Sequence, residues 1–221
     1  IAVRKTQGSS NPVEVINNDV AFSDSGNNNA EEAIGIYVRD GTSGDYANDP
    51  TVNSGDAVPI VESSGADVSN VLIENNEIDT IDTASNENVG IAVADVSAST
   101  LSDITLNNNT LIDTEFGVTV GGDTETPESV SVTNNVINGS VVGFSYVGTD
   151  DPFVDFEFDS VDPGEVTVEN NEFNDNDVHV QDFSSQDADL GSVFESNAFD
   201  AYAIGEDNNG AIQNAIYGNL E

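Results

Sequence analysis

The fold of this chain is decided by the sequence VLIENNEI at residues 71–78, whose pattern of apolar, x, apolar, x, Asn, Asn, x, apolar recurs along the chain. Further copies are VEVINNDV at 13–20, ITLNNNTL at 104–111, VSVTNNVI at 130–137 and VTVENNEF at 166–173. A weaker copy, FESNAF, occupies residues 194–199. Self-similarity of this kind is the mark of a solenoid, in which successive repeats stack on one another.

A second unit, Gly-apolar-x-apolar, follows each strong copy of the first. It reads GIYV at 35–38, GIAV at 90–93, GVTV at 117–120 and GFSY at 143–146. In the fifth turn we align Asp177 with the glycine, before Val178-His179-Val180. Alternation with a period of two predicts short strands with one buried face, so each repeat supplies three short strands.

These units predict an all-β fold, a right-handed parallel β-helix with three short strands per coil and about six to eight coils. The 221 residues form one domain. Residues 1–12 are expected to be an N-terminal cap or lead-in, 41–70 and 148–165 loop insertions, and 206–221 a C-terminal cap or degenerate coil. The first insertion, Gly41 to Asn70, either hides an extra coil or forms a long surface loop.

The asparagine pairs are interpreted as structural. Asparagine tolerates the left-handed backbone region that a corner between strands requires, and its amide can bond to the asparagines of the coils above and below. We therefore predict a ladder made by the first asparagine of each pair: Asn17, Asn75, Asn108, Asn134 and Asn170.

Composition indicates the salt environment of the protein and excludes some classes of partner. Three Lys and Arg residues oppose 42 Asp and Glu residues, which gives a formal charge of −39. Repulsion of this size is screened in multimolar salt, so we expect a protein of a high-salt environment. Without a basic patch the chain has no nucleic-acid site, and no apolar run is long enough to insert into a membrane. The absence of Cys excludes disulfides and thiolate metal sites.

The repeats resemble those of the right-handed parallel β-helix of the pectate lyase-like superfamily, in particular its short NosD-type repeats, over about residues 13–203. That superfamily includes lyases, glycoside hydrolases, tailspikes, adhesins and non-catalytic modules, so the fold does not settle the function. Its lyases use a basic residue, commonly Arg, but the only cations here are Arg4, Lys5 and Arg39. Its polygalacturonases carry four motifs, of which only an Asp-Asp pair, Asp150-Asp151, is present.

Acids that follow the glycine-containing strands are the candidates for chemistry. In a stacked coil they would form a column with about 5 Å between neighbours, a separation that suits a glycosidase carboxylate pair. The catalytic candidates are Asp95, Asp123, Asp150 and Asp151. Calcium binding by the same column is left open, with Asp40, Asp95 and Asp182 as ligands, and no other cofactor is required. Chance is the third explanation, since acids are common throughout the chain.

A row of neutral side chains is expected on the outward face of the glycine-containing strands. It consists of Tyr37, Ala92, Thr119, Ser145 and His179. Hydroxyls with a tyrosine and a histidine could bind a sugar, so Tyr37, Thr119, Ser145 and His179 are the candidate ligand-binding residues. The row could equally be covered by loops or by another chain.

The sequence and this resemblance together favour an extracellular or cell-surface β-helix module that recognises a polysaccharide or other glycan, or has a structural role in a surface or viral appendage, without catalysis. The alternative is a glycoside hydrolase that uses the Asp column. A larger parent protein or a homo-oligomer would cover the ends of the solenoid.

Overall fold

The structure is a computed structural model that describes residues 3–5, 13–23, 33–39, 60–63, 67–81, 88–95, 100–122, 127–147, 165–182, 190–200, 203–206 and 212–215. Strands β1 to β20 and helix α1 (Leu190–Ser196) are numbered in chain order, and the strands form three sheets.

Sheet A contains, in spatial order, β1 (Val3–Lys5), β5 (Ile60–Ser63), β4 (Ala33–Arg39), β8 (Asn88–Asp95), β11 (Phe116–Gly122), β14 (Val142–Val147), β17 (Val178–Asp182), β19 (Ala203–Glu206) and β20 (Ile212–Ala215). Sheet B contains β15 (Val166–Glu169), β12 (Glu128–Thr133), β9 (Leu101–Asn107), β6 (Val68–Glu74) and β2 (Val13–Ile16). Sheet C contains β18 (Ala198–Phe199), β16 (Glu172–Asn174), β13 (Val136–Asn138), β10 (Thr110–Ile112), β7 (Glu77–Ile81) and β3 (Asp19–Ser23).

The chain passes through sheets B, C and A in that order and then repeats the circuit. Coils 1 to 5 are β2-β3-β4, β6-β7-β8, β9-β10-β11, β12-β13-β14 and β15-β16-β17. Each strand pairs in parallel with its counterpart in the next coil, and β19 with β20 is the one antiparallel pair among the described strands. The predicted all-β parallel β-helix with three short strands per coil is confirmed.

Part of the segment from Gly41 to Asn70 joins the sheet system. Strand β5 lies in sheet A between β1 and β4 and is parallel to both, and β6 of the second coil begins at Val68. At the other end of the chain, β20 pairs with β19. Most of the 148–165 insertion and the rest of both terminal segments lie outside the described residues.

Left-handed residues turn the chain at the corners. The first asparagine of each pair, between sheets B and C, has a φ of 55° to 58°. Asp113, Gly139 and Asp175 have φ values of 53°, 72° and 53° at the corner between sheets C and A. A further bend within sheet B has Asn70, Asp103 and Ser129 in the same conformation. Asn and Asp are the residues other than glycine that most readily adopt this backbone region, which explains their use here.

The buried ladder is formed by the second asparagine of each pair. Its members are Asn18, Asn76, Asn109, Asn135, Asn171 and Asn197. The amide nitrogen of Asn135 donates to Asn171 Oδ1 at 2.9 Å and to the Leu106 carbonyl at 3.1 Å. Its Oδ1 accepts from the backbone and side-chain nitrogens of Asn109 at 2.9 and 3.0 Å. Every hydrogen-bonding atom of this buried amide is therefore paired, as burial requires.

The predicted ladder is thus corrected by one residue. Asn17, Asn75, Asn108, Asn134 and Asn170 supply the left-handed corner but turn their side chains outward, and all five are exposed. The residue after the corner turns inward. The same rule holds at the second corner, where Ser140 follows Gly139, is buried, and donates its backbone N–H to Asn176 Oδ1 at 2.8 Å.

Coil 6 departs from the repeat because helix α1 replaces its sheet B strand, although FESNAF at 194–199 predicts a strand there. Asn197 is the last asparagine of the ladder. Its amide nitrogen donates to the Val168 carbonyl at 2.9 Å and to the Val193 carbonyl of α1 at 2.6 Å. The helix therefore accepts the bond that a further asparagine would otherwise accept.

The core is built from inward side chains that align in register. Val15, Ile73, Leu106, Val132 and Val168 are buried neighbours on successive strands of sheet B, as the sequence predicts. A second column holds Gly35, Gly90, Gly117 and Gly143 of sheet A. A Cβ on Gly143 would lie 2.8 Å from Phe173 Cδ1, and one on Gly117 would lie 2.6 Å from Ile137 Cγ2. Glycine is required because the next coil already fills this space.

Candidate binding surface

The row predicted as an exposed strip on sheet A is buried. Tyr37, Ala92, Thr119 and Ser145 are register neighbours on four successive strands, with exposed fractions of 3%, 3%, 3% and 0%. Around them Ile34, Val89, Phe116 and Val142 form a second apolar cluster, separate from the core. Of the alternatives that the sequence leaves open, the structure shows a covered row, and the expected exposure of Tyr37, Thr119 and Ser145 is corrected.

His179 does not belong to that row. Val142 pairs with Val178 and Phe144 with Val180, so His179 is the register neighbour of Gly143, and Gln181 is the neighbour of Ser145. The alignment of Asp177 with the glycines is therefore two residues early. At this fifth position the His179 ring packs against Phe199 of coil 6, and the two ring centroids lie 5.3 Å apart.

The environment of His179 is apolar with one acid at its edge. The side chain is buried against Phe173 and Phe199, and Nε2 lies 3.4 Å from Asp200 Oδ1. Burial lowers the pKa of His179, while the hydrogen bond and the charge of Asp200 oppose that shift. Because its ring is buried between coils 5 and 6, His179 makes a structural contact there and does not lie on the exposed strip that the sequence predicts.

The predicted acid column is not assembled by its described members. Asp95 is the register neighbour of Gly122, whereas Asp182 is the neighbour of Tyr146, which aligns with Val120 and Val93. Asp182 therefore stands two residues before the position of Asp95, and three strand spacings, about 14 Å, separate the two strands. The corresponding prediction for Asp40, Asp123, Asp150 and Asp151 lies outside the described residues.

Asp182 is an interior residue rather than a rim ligand. Its side chain is 1% exposed, and burial, with a smaller contribution from the charge of Asp182, raises the pKa of Tyr146. Within the described ranges, no group of three or more His, Asp and Glu side chains could hold a metal ion. The prediction that Asp40, Asp95 and Asp182 bind calcium together therefore has no geometric support from Asp95 and Asp182.

Sheet B presents an outward row that is accessible. Its members, here called the hydroxyl row, are Leu72, Thr105, Ser131 and Thr167, which are register neighbours on β6, β9, β12 and β15. Leu72, Thr105 and Ser131 are partly exposed and Thr167 is exposed. In the described part of the chain, no hydrogen bond engages the hydroxyls of Thr105, Ser131 or Thr167. Three donor-acceptor groups thus face solvent on successive coils, about 4.8 Å apart.

Three members of the neighbouring outward row of sheet B, Glu74, Asn107 and Thr133, are already engaged in hydrogen bonds. Asn107 Nδ2 donates to Glu74 Oε1 at 2.7 Å, and Asn107 Oδ1 accepts from Asn134 Nδ2 at 2.8 Å and from Thr133 Oγ1 at 3.4 Å. Acids border the hydroxyl row, with exposed Glu169 and partly exposed Glu74 on this side and exposed Asp103 and Glu128 on the other. The hydroxyl row is therefore a neutral line on a highly acidic protein.

The signal for this row was present in the repeat itself. The hydroxyl row occupies the variable position between the first two apolar residues, which reads Leu, Thr, Ser and Thr in coils 2 to 5. The binding row predicted from the sequence lies only on the glycine-containing strands. Alternation marks both rows as outward, and only the structure shows which of them is covered.

Comparisons with known proteins add no assignment: no family model, no curated protein and no solved structure matches this chain. Among the described residues, no helix has the length and apolar character needed to cross a membrane.

Proposed function

We propose that this chain is a non-catalytic β-helix module that binds a polysaccharide on the outer face of sheet B. The hydroxyl row is the observation that carries this proposal, because its three hydroxyls are accessible and unengaged, and parallel strand pairing holds them at regular spacing. Preorganised polar groups lose little conformational freedom when they bind a ligand, which favours affinity. Leu72, the remaining member of the hydroxyl row, adds a partly exposed apolar surface for the non-polar face of a sugar.

The setting is part of the same proposal. We place the module outside the cell, at a surface or in an appendage, in a high-salt environment, and within the pectate lyase-like superfamily. The charge of −39 supports the high-salt setting, since such repulsion needs screening. The parallel coils and the buried asparagine ladder are compatible with the superfamily. A glycoside hydrolase has less support, because the described acids of the proposed column lie out of register.

The test is a panel of soluble polysaccharides in multimolar KCl, with and without calcium, in which bound fraction and product mass are read from the same samples. We expect saturable binding without shortened products. Cleavage products would overturn the non-catalytic proposal, and neither binding nor cleavage would favour a purely structural segment.

A matched pair of variants tests whether the hydroxyl row is the binding site. Thr105→Val with Thr167→Val removes two hydroxyls of the row and keeps the β-branched shape that suits a strand. Thr110→Val makes the same change on the outer face of sheet C, where Thr110 is also partly exposed. We expect the double variant to lose most binding and Thr110→Val to retain it. Equal binding by all three proteins would show that the hydroxyl row is not the site.

A further inference from the structure

We infer that Asn108 is a modification site that carries an N-linked glycan. This inference goes beyond polysaccharide binding, and it rests on the extracellular setting of the proposed function. The acceptor sequence for N-linked glycans in secreted proteins is Asn-x-Ser/Thr, where x is not Pro. That sequence occurs twice in the chain, as Asn108-Asn109-Thr110 and as Asn138-Gly139-Ser140.

The corner between sheets B and C singles out coil 3. In coils 1 to 5 the first asparagine of each pair has a left-handed φ at this corner and an exposed side chain. The residues two positions after these asparagines are, in coil order, Asp19, Glu77, Thr110, Val136 and Glu172. Coil 3 is therefore the one coil of the five in which the exposed corner asparagine belongs to an acceptor sequence.

The side-chain amide of Asn108 keeps one hydrogen out of any hydrogen bond. Its Nδ2 donates to Asn75 Oδ1 of the preceding coil, and no other bond of this amide occurs in the described part of the chain. Because N-glycosylation replaces one of the two Nδ2 hydrogens, the bond to Asn75 can persist after a sugar is attached. The neighbouring Asn109 is the opposite case, since its Nδ2 donates to the Ile73 carbonyl and to Asn135 Oδ1, both at 3.0 Å.

The transfer step needs a lipid-phosphate-linked oligosaccharide as the sugar donor and a transferase to catalyse it. The bond between C1 of the first sugar and the phosphate oxygen breaks, and a bond between that C1 and Asn108 Nδ2 forms. One amide proton passes to a base of the transferase, and the lipid phosphate leaves with the electron pair of the broken bond. The chain itself supplies only the acceptor amide.

The second acceptor sequence is less accessible in the folded coil. Asn138 is partly buried on sheet C, and Ser140 is 2% exposed, with its hydroxyl 2.8 Å from Thr114 Oγ1. Thr110 is partly exposed, and among the described residues its hydroxyl has no hydrogen-bond partner. A glycan on Asn108 projects directly into solvent, whereas one on Asn138 would start from a half-buried position. We therefore expect Asn108 to be modified and Asn138 to remain bare.

The closing experiment is peptide mass mapping of the protein purified from its natural source. Cleavage after glutamate places the two acceptor sequences on separate peptides, 88–115 and 129–157. We expect an added oligosaccharide mass on peptide 88–115, assigned to Asn108 by fragmentation, and the unmodified mass for peptide 129–157. A bare 88–115 peptide, or an oligosaccharide on peptide 129–157 alone, would overturn the inference.

Two substitutions of Thr110 form a matched pair that tests the acceptor sequence in cells that attach N-linked glycans. Thr110→Ser keeps the hydroxyl and should keep the glycan, whereas Thr110→Val keeps the β-branched shape but should abolish the modification. A glycan on Asn108 in the Thr110→Val protein would contradict the proposed site. Thr110→Val is also the control that is expected to retain polysaccharide binding, so modification and binding are measured independently.

A gain-of-site variant tests the equivalence of the corners. Glu77 is exposed in coil 2, where it is the register neighbour of Thr110 and lies two residues after the exposed Asn75. Glu77→Thr should therefore add a second glycan, at Asn75, which an intact mass measurement detects. An unchanged number of glycans would show that an exposed corner asparagine with a hydroxyl two residues later is not sufficient, and would overturn the structural argument for Asn108.

Failure of this inference can be distinguished from failure of the proposed function. A bare protein recovered from the medium or the cell surface would reject only the glycan at Asn108. A bare protein recovered from the cell interior would reject the extracellular setting together with the inference.

Discussion

The outward rows of sheets A and B both contain Thr and Ser, but the row on sheet A is buried and the row on sheet B is partly exposed. Coils 3 and 4 place Thr119 and Ser145 in the row on sheet A, and Thr105 and Ser131 in the row on sheet B. The first two are 3% and 0% exposed, whereas the second two are partly exposed. A small polar side chain at an outward position is therefore compatible with either a covered face or a free one. The asparagine pairs teach the same lesson, because identical neighbours such as Asn134 and Asn135 differ completely in burial.

The largest contrast is expected from a lysine placed in each row. Thr119→Lys puts a cation into a covered position, and an unpaired buried charge costs about 3–5 kcal/mol of unfolding free energy. Thr105→Lys puts the same charge on an open face bordered by acids, where substitutions usually stay within about 0.5 kcal/mol. Thermal unfolding followed by circular dichroism in multimolar KCl measures both. Equal stability of the two variants would mean that the face of sheet A is not covered in solution.

The asparagine pair gives the next contrast. Asn135→Ala removes a side chain with four buried hydrogen bonds, to Asn109, Asn171 and the Leu106 carbonyl. Each buried group left unpaired costs about 1–3 kcal/mol, so we expect a loss of about 3 kcal/mol or more. Asn134→Ala changes an exposed left-handed residue and should cost about 1–2 kcal/mol.

The two variants serve as controls for each other, because they change neighbouring asparagines of one pair. Urea unfolding of both variants under the same salt conditions gives the two free energies. If Asn134→Ala proved the more damaging variant, the left-handed corner would contribute more to stability than the buried ladder bonds of Asn135.

The sequence predicts the repeating strands but not the register of every strand with its neighbour. The periodic apolar positions and paired asparagines are strictly local signals, and they were sufficient for the parallel solenoid, its three sheets and its aligned core. Alignment of β17 could not be obtained that way, because His179 stands at the position that is glycine in coils 1 to 4. Alternation marks the sheet A row as outward but does not encode whether other parts of the chain cover it.

A smaller effect is expected at the glycine column. Gly117→Ala would place a Cβ 2.6 Å from Ile137 Cγ2 and against the Gly143 carbonyl oxygen. Overpacking of this kind costs about 1–3 kcal/mol. The same column accepts a full imidazole at His179, next to the shortened strand β18 of the last coil. Thermal unfolding of Gly117→Ala measures the cost, and an unchanged midpoint would show that the interior of the middle coils can relax as the last coil does.

The smallest effect is the pH dependence that His179 gives to the free energy of unfolding. It tests the packing of the last coil against the behaviour of the acidic chain as a whole. Burial lowers the folded pKa of His179, so the folded state disfavours the charged ring. Its contribution to the free energy of unfolding is therefore complete above the unfolded pKa of about 6.5. That contribution is lost as the pH falls through this value and stops changing below the lowered folded pKa.

Carboxylates elsewhere act in the opposite direction, because protonating them relieves the repulsion of a chain with a charge of −39. The measurement is therefore the difference in unfolding midpoint between the wild type and His179→Gln as the pH is lowered from neutral. The wild type should lose stability relative to the variant across the titration of the unfolded histidine. A constant difference would mean that Asp200 fully offsets the effect of burial on the pKa of His179.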